Sequence, residues 1–357
     1  MKTYRAAVIG CSRMGAFIDN EGVGHLAPEV TDYLARKLPR SHAASFFSEE
    51  RTDLIACSDL RAEVMEEFGT RYNVPKERQY TDYQEMIEKE QPEILSVATQ
   101  PEQRAEVVIY AAEHGVRAIY AEKAMAASMD EADAMVEAVE RNGVAFNLGT
   151  NRRWDTGFDK MKEIIDSGEL GALRTLIIYG NGTLFNTASH NFDLILRLNS
   201  DTPVSWVSAH IPNGDEIIDG NIVREDPTGQ GMIQFENGVM AHALLSHLGW
   251  EAGCEKGSIT SFRDGNMWQI RRQNRVETFP KFEHTSSGAN IVKDLVASLD
   301  TGEPTRGGVR VAYASTELIF AFMESHLRSG ARVELPLKGN QLRLQRDRLP
   351  RQPKFEP

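Results

Sequence analysis

The 357-residue sequence has few cysteines, no long apolar run and no excess of positive charge. Its three cysteines, Cys11, Cys57 and Cys254, are odd in number and far apart, which argues against a disulfide framework and structural zinc. No segment approaches the roughly 18 consecutive apolar residues of a membrane span, and a net charge of −12 disfavours nucleic acid as a partner. The first residues show no secretion signal. We therefore expect a soluble, cytoplasmic protein that binds neither membrane nor nucleic acid.

The chain is longer than the size at which one hydrophobic core usually stops growing, so two domains are expected. In residues 1–150, short apolar runs alternate with helical patterns, which is typical of βαβ units on a doubly wound parallel sheet. The predicted strands are 5–9, 53–57, 93–98, 117–121 and 144–147, and the predicted helices are 61–72, 102–114 and 129–142. Residues at about 18–40 carry glycine, proline and charges without strand character, so an insertion is expected there.

The pattern changes after residue 150. A helix that Gly168 ends is followed by alternating segments with turn signals such as Asn237-Gly238, which predict a large, mostly antiparallel open sheet. Helices over 289–299 and 311–329 follow. We therefore predict an α/β protein whose second, α+β domain spans 151–340 and binds the substrate, with a solvated tail over 341–357.

The segment Gly10-Cys11-Ser12-Arg13-Met14-Gly15 follows the first predicted strand and is similar to the fingerprint of a Rossmann dinucleotide-binding domain. Its glycines permit a tight turn and close approach of a pyrophosphate, and Ser12, in place of the second glycine, takes up some of that room. A glycine-rich turn without a ligand is the alternative.

Asp59 ends the second predicted strand, where an acidic side chain can accept hydrogen bonds from ribose hydroxyls and repel a 2′-phosphate. It lies much farther from Gly10 than the usual ~20 residues, which the insertion explains. The sequence therefore predicts NAD over NADP, although Arg61 is a possible phosphate ligand.

In their order and spacing, several motifs resemble the Gfo/Idh/MocA family, the glucose-fructose oxidoreductase, inositol dehydrogenase and rhizopine-catabolism group of NAD(P)-dependent sugar and polyol oxidoreductases. They lie at 10–15, 41–46, 97–101, 121–124, 151–154, 189–193 and 332–336, and so span nearly the whole chain. The resemblance implies that the cofactor-binding residues are Gly10, Ser12, Arg13, Met14, Gly15, Asp59, Thr99, Gln100, Pro101, Glu122 and Lys123.

The family's Glu-Lys-Pro motif falls on Glu122, Lys123 and Ala124, with alanine in place of proline. Lys123 follows a buried strand at its carboxyl end, beside the expected nicotinamide, where it can orient a substrate hydroxyl and polarise its oxygen. A lysine that forms a salt bridge with Glu122 or with a surface acid is the alternative. The resemblance also implies that His190 takes the hydroxyl proton.

Many family members have an aspartate at the position of Asn186, four residues before His190. Either His190 is therefore the base unaided, or Lys123 is the base with a lowered pKa. Asp193 either orients His190 or is a buried structural acid. The resemblance places Arg152, Trp154, Asn186 and Asp193 at the substrate; the alternative for Arg152 and Trp154 is a helix start packed at the domain junction.

The resemblance implies an NAD-dependent oxidoreductase that moves hydride between a secondary alcohol of a sugar, inositol or sugar derivative and the nicotinamide, without a metal. It also implies a homodimer or homotetramer. Two alternatives stay open. Some family relatives use NAD without net redox change to cleave glycosidic bonds, and a nucleotide-binding sensor retains the fold without catalysis.

Overall fold

The computed structural model describes residues 2–21, 37–262, 265, 267–273, 275–278 and 284–346. The chain forms two compact units. The first runs to Trp154 and also contains Thr285–Tyr313, and the second comprises Asp155–His284 and Ala314–Arg346. Residues 285–313, which were expected in the domain 151–340, thus fold with the first unit. Most of the expected insertion (22–36) and of the tail (347–357) lies outside the described residues.

The helices of the described chain are α1 (His42–Phe47), α2 (Ala62–Tyr72), α3 (Tyr83–Glu90), α4 (Pro101–Glu113), α5 (Met129–Arg141), α6 (Thr156–Asp166), α7 (Ser189–Leu198), α8 (Gly214–Ile217), α9 (Ser287–Thr301) and α10 (Val309–Leu327). The first six strands are β1 (Tyr4–Ile9), β2 (Thr52–Ser58), β3 (Gln79–Tyr80), β4 (Ile94–Val97), β5 (Ala118–Ala121) and β6 (Ala145–Leu148). The remaining strands are β7 (Leu173–Gly180), β8 (Val204–His210), β9 (Ile218–Asp219), β10 (Ile222–Val223), β11 (Gln230–Phe235), β12 (Met240–Ala243), β13 (Leu245–Cys254), β14 (Gly257–Phe262), β15 (Met267–Arg272), β16 (Arg275–Thr278), β17 (Val333–Glu334) and β18 (Arg343–Leu344).

The first unit is built on a six-stranded sheet in the order β3-β2-β1-β4-β5-β6, with every neighbouring pair parallel. Because β4 and β5 are covered on both faces, their residues are buried throughout, which explains their continuous apolar runs. The strand order reverses between β1 and β4, and ligands of such sheets bind beyond the carboxyl ends of the strands at this switch point. The predicted α/β class and doubly wound parallel sheet are confirmed.

The connection from β1 to β2 differs from the simple strand, turn and helix that the sequence predicted. Among the described residues, two short helical turns, Arg13–Phe17 and Ile18–Asn20, follow the glycine turn, and α1 lies between them and β2. Asp19 then accepts hydrogen bonds from the backbone N–H of Arg40 (2.7 Å) and from the hydroxyl of Ser41 (2.6 Å). The insertion therefore begins and ends at the same place, directly before α1.

Helix α9 completes the core of the first unit. Its Ile291, Val292 and Leu295 are fully buried and belong to the same apolar cluster as Phe46 of α1 and Phe68 of α2. This packing is the physical reason that a segment from late in the chain folds with the first 154 residues.

The second unit contains a nine-stranded sheet in the order β16-β15-β14-β13-β7-β12-β11-β8-β17. All its pairings are antiparallel except that of β12 with β7, so the predicted mostly antiparallel sheet is confirmed. On its packed face, Phe158 of α6 contacts Trp250 and Trp268, with ring centroids 5.1 and 5.2 Å apart. A second, small sheet joins β9, β10 and β18.

In the part of the chain that the structure describes, no helix has both the length and the apolar character needed to cross a membrane.

Candidate functional site

The turn after β1 brings the backbone unusually close to β4. Gly10 has a φ of +86°, and a Cβ there would lie 2.9 Å from the carbonyl group of Ala98. A Cβ on Gly15 would lie 1.8 Å from the carbonyl oxygen of Gly10. Both glycines are therefore required by close approach. Ser12 has a φ of −84°, so this position does not require the left-handed conformation that favours glycine.

Asp59 lies beside this turn despite its distance along the chain. The parallel pairing of β1 with β2 places Ile9 opposite Ser58, and the N–H of Gly10 donates to the carbonyl of Ser58 at 2.8 Å. The carboxylate of Asp59 accepts a hydrogen bond from the N–H of Cys11 at 2.9 Å and lies 3.3 Å from Nε of Arg61. An acid thus borders the turn, with a guanidinium next to it.

Other predicted cofactor ligands lie along the same edge of the sheet. Thr99 follows β4, and its buried hydroxyl has no hydrogen-bond partner among the described residues. Gln100 is exposed, whereas Pro101 is buried as the first residue of α4. Arg13 forms a two-fold ion pair with Glu21, and Met14, the remaining ligand of the turn, is partly buried.

These features suit a dinucleotide. The glycine backbone leaves a cradle that a Cβ would fill, and the carboxylate of Asp59 borders it. The buried hydroxyl of Thr99 has no hydrogen-bond partner among the described residues.

Lys123 follows β5, and its backbone contacts a buried network of hydrogen-bonded polar side chains. Glu122 is only 5% exposed, its Oε1 lies 3.1 Å from Nε2 of His42, and its Oε2 accepts the backbone N–H of Lys123 at 3.2 Å. Nδ1 of His42 lies 2.7 Å from the hydroxyl of Ser96, and its ring stacks on Tyr120 with centroids 3.7 Å apart. The carboxylate therefore fixes the backbone of Lys123.

Burial of Glu122 favours the neutral carboxyl, but the hydrogen bond with His42 and the positive charges of Lys123 and Arg104 outweigh it. Together they hold the pKa of Glu122 below its usual range. Glu122 is therefore an ionised group near neutral pH.

We expect Glu122→Gln to remove a contribution to the free energy of unfolding that depends on pH in the acidic range. Because the native pKa is below the unfolded value of about 4.3, ionised Glu122 stabilises the fold above that pH. This stabilisation is lost as the pH falls through the native pKa. The thermal unfolding midpoint of the unmodified protein should therefore fall more steeply than that of the variant between about pH 6 and about pH 3.

The matched control is Glu66→Gln, because Glu66 is an exposed carboxylate in the middle of α2, away from the charged end of the helix dipole. It should leave the acid slope unchanged. Parallel midpoint curves for the unmodified protein and Glu122→Gln would contradict the prediction.

In the second unit, His190 lies in the first turn of α7 and is partly buried. Asn186 lies one helical turn earlier and is exposed, whereas Asp193 is 1% exposed. The carboxylate of Asp226 accepts the backbone N–H groups of Phe185 and Asn186 at 2.8 and 3.0 Å. Burial raises the pKa of Asp226, although these N–H groups oppose the shift. Asp226 thus fixes the helical turn that leads into His190.

Arg152 and Trp154 lie in a short helical turn of the first unit, Asn151–Trp154. Trp154 is 2% exposed, its ring lies 5.3 Å from the guanidinium of Arg306, and its carbonyl accepts a hydrogen bond from Asn290. The structure therefore places Trp154 in the core of the first unit, while Arg152 is partly buried.

Three residues with structural roles near the predicted site residues were not predicted as site residues from the sequence: His42, Arg104 and Asp226. Arg104 is 1% exposed and donates to the backbone carbonyls of Ala124 and Thr99. One signal was available, because Arg104 falls on the buried stripe of α4 that continues with Val107, Val108 and Ala111. No local sequence signal marked Asp226, since its hydrogen-bond partners lie about 40 residues away along the chain.

Among the described residues, no group of three or more His, Cys, Asp or Glu side chains is arranged to hold a metal ion.

Comparison with known proteins finds that residues 4–150 match the family model GFO_IDH_MocA, described as an oxidoreductase family with an NAD-binding Rossmann fold. The chain is 26% identical over 225 residues to a 1-carboxy-3-chloro-3,4-dihydroxycyclohexa-1,5-diene dehydrogenase of Comamonas testosteroni. The aligned region covers 57% of this chain and 53% of the relative. This chain is also 23% identical over 215 residues to a myo-inositol 2-dehydrogenase of Thermotoga maritima. That alignment covers 56% of this chain and 62% of the relative. The matches thus span less than two thirds of these relatives.

Solved structures share the fold over more than nine tenths of the chain. An aldose-aldose oxidoreductase from Caulobacter crescentus superposes with a TM-score of 0.76 at 15% identity, covering 94% of this chain and 100% of that one. An inositol dehydrogenase homologue from Azotobacter vinelandii, complexed with NADH and myo-inositol, superposes with a TM-score of 0.73 at 14% identity, covering 93% and 98%. At these identities the likeness shows the fold alone.

Proposed function

We propose, from the match of residues 4–150 to the Gfo/Idh/MocA family model with its NAD-binding Rossmann fold, that the protein is a member of this family and an NAD-dependent oxidoreductase of a polyhydroxylated substrate. The family match confirms the resemblance drawn from the motifs and the prediction of NAD. The proposed reaction is hydride transfer between a secondary alcohol of a sugar, inositol or sugar derivative and the cofactor. The names of the relatives, an inositol dehydrogenase and a dehydrogenase of a dihydroxylated ring, support this substrate class.

The observation that carries the proposal is the placement of Lys123. It follows β5 at the ligand-binding edge of the sheet, and the buried carboxylate of Glu122 fixes its backbone. A lysine held in this way can present its ammonium group to a substrate hydroxyl and polarise the oxygen. This role suits a reaction in which an alcohol loses its proton.

The cofactor residues divide into two groups. The glycine turn and Asp59 would hold the pyrophosphate and the adenosine ribose, and Thr99, Gln100 and Pro101 would lie along the other half of the dinucleotide. Bound NAD would supply the hydride acceptor, so the protein itself needs only to hold the alcohol and take its proton.

The proton acceptor is either Lys123 or His190, and both alternatives remain proposals. Histidine titrates near neutral pH and suits the role directly. A lysine needs a lowered pKa to accept a proton and otherwise acts as an electrostatic partner of the oxygen. Asn186, Asp193 and Arg152 are proposed to bind or orient the substrate, and the buried Trp154 is proposed to support this edge of the first unit from its core.

The test is formation of NADH by the purified protein with NAD or NADP and a panel of sugars, inositols and sugar derivatives. Absorbance that rises with one substrate class establishes the dehydrogenase. NAD binding without NADH formation from any member of the panel would contradict the proposal and favour a non-redox enzyme or a sensor.

Asp59→Ala should weaken NAD binding about tenfold and reduce the preference for NAD over NADP. The variant loses the acceptor for the ribose hydroxyls and leaves the guanidinium of Arg61 without its carboxylate neighbour, next to the position of a 2′-phosphate. Dissociation constants of both nucleotides, measured by calorimetry, test this expectation. Asp53→Ala is the matched control because Asp53 lies at the opposite end of β2 and is exposed. An unchanged NAD to NADP ratio in Asp59→Ala would overturn the role of Asp59.

We also propose that the protein forms a homodimer or homotetramer through the open face of the nine-stranded sheet. The strand register places Met232, Ser208 and His242 side by side on that face, and Met232 is 40% exposed. The molar mass in solution tests this assembly.

A further inference from the structure

Arg104 is a buried cation in an unfavourable place. It lies in the first turn of α4, where the positive end of the helix dipole repels a guanidinium, and it is only 1% exposed. Burying a charge is costly unless it is fully hydrogen-bonded. If this position contributed only to packing, an apolar side chain, as at Val107 and Val108 of the same stripe, would avoid the cost of burying a charge.

The guanidinium joins the loops that follow two neighbouring strands. Its Nη1 donates to the carbonyl of Ala124 in the loop after β5, and its Nη2 donates to the carbonyl of Thr99 in the loop after β4. Its charge also contributes to the low pKa of Glu122. One side chain therefore fixes the spacing between the residues that follow two neighbouring strands.

These two loops lie on one side of the switch point. The sheet order places β2 with Asp59 on one side of β1, and β4 and β5 on the other. A dinucleotide bound across the switch point has its adenosine half over the β2 side and its nicotinamide half over the β4 and β5 side. The loops that Arg104 joins therefore belong to the nicotinamide half.

We propose that Arg104 is a positioning residue that locks the loops after β4 and β5 together and thereby forms the binding surface for the nicotinamide half of NAD. This inference rests on the proposed function, which places the nicotinamide and Lys123 at this edge. Arginine suits the task because its planar fork donates to two carbonyls in fixed directions, whereas a lysine ammonium is a point charge that does not fix two partners in one plane. Arg104 acts through Thr99 and Ala124 and is not proposed to touch substrate.

The test compares two probes that differ only in the nicotinamide. ADP-ribose carries the adenosine and both phosphates without the nicotinamide, and NAD carries the complete dinucleotide. We expect Arg104→Lys and Arg104→Met to weaken NAD binding about tenfold or more, with ADP-ribose binding changed by less than about twofold. Isothermal titration calorimetry of the purified full chain measures both constants, and the unfolding midpoint of each variant is recorded beside them.

The matched control is Arg51→Lys. Arg51 also donates to a backbone carbonyl, that of Lys2, and pairs with Asp300, but it lies at the amino end of β2, at the opposite edge of the sheet. It should leave the ratio of the two dissociation constants unchanged.

Equal weakening of NAD and ADP-ribose would overturn the inference, because Arg104 would then support the whole unit. Unchanged NAD binding, or failure of both variants to fold, would also overturn it. An unmodified protein that binds both probes equally would overturn it as well, since no nicotinamide contribution would exist to be lost. Failure of the proposed function is a separate result: the unmodified protein would then bind neither probe, or bind NAD without oxidising any alcohol.

Discussion

Lys123→Ala should lower kcat about 10³-fold, while the affinity for NAD changes by less than about tenfold. The ammonium group is the proposed contact with the substrate hydroxyl, and its removal eliminates an interaction that strengthens as the oxygen becomes negative. The backbone of Lys123 is fixed by Glu122 through an N–H that alanine retains, so the loop should keep its conformation. Steady-state NADH formation and calorimetric binding of NAD measure the two effects separately.

Lys89→Ala is the control for this variant, since Lys89 is an exposed lysine of α3 that pairs with Glu85. Its activity should equal that of the unmodified protein. Residual activity of Lys123→Ala above about a tenth of the original would remove Lys123 from the proposed catalytic group.

The pH profile of kcat/KM then distinguishes the two candidate bases. The acidic limb of the profile reports the group that must lose a proton before reaction. If His190 is that group, the limb disappears in His190→Gln and persists in the residual activity of Lys123→Arg. The opposite pattern identifies Lys123 as the base.

Local patterns predicted the first sheet well because each of its main strands is buried on both faces. A continuous apolar run followed by a helical period is sufficient to identify β1, β2, β4, β5 and β6. The glycine turn was also visible, since only glycine permits the approach of Gly10 to Ala98.

Long-range packing explains what the sequence did not predict. Helix α9 has an ordinary amphipathic pattern, and nothing in that pattern states that Ile291 and Leu295 pack in the first unit. The alternating segment 239–245 reads as one strand in the sequence, yet it divides into β12 and the start of β13, which pair with β7 on opposite sides. Pairing partners of this kind depend on the assembled sheet and not on local propensity.

The buried polar side chains next to Lys123 also have partners that local sequence patterns do not predict. His42 stood out only as part of a family motif, and its partners Ser96 and Glu122 lie 54 and 80 residues away. Arg104 broke the apolar stripe of α4, which marks a buried polar group without naming the carbonyls it serves. Sequence patterns therefore indicate which residues are unusual, and the fold determines their partners.

Alanine variants of two glycines distinguish the cost of a steric clash with the backbone from the cost of a left-handed backbone conformation. Gly10 and Gly115 have nearly the same φ, +86° and +87°, yet a Cβ on Gly10 would meet the Ala98 carbonyl at 2.9 Å and a Cβ on Gly115 would meet nothing within 4 Å. Gly115→Ala should therefore cost only the left-handed conformation, about 1 kcal/mol of unfolding free energy. Gly10→Ala should cost about 3 kcal/mol, because the clash with backbone is added to the same conformational cost.

The two variants should differ even more in cofactor binding. In Gly10→Ala the glycine turn must move away from β4, which displaces the N–H of Cys11 from Asp59 and should weaken NAD binding about 100-fold. Gly115 lies just before β5, at the amino ends of the strands, so Gly115→Ala should leave NAD binding unchanged. Denaturant unfolding and calorimetry measure both quantities on each variant. Equal effects of the two substitutions would mean that the left-handed conformation alone requires glycine at residue 10, and that the close approach to β4 does not shape the cofactor site.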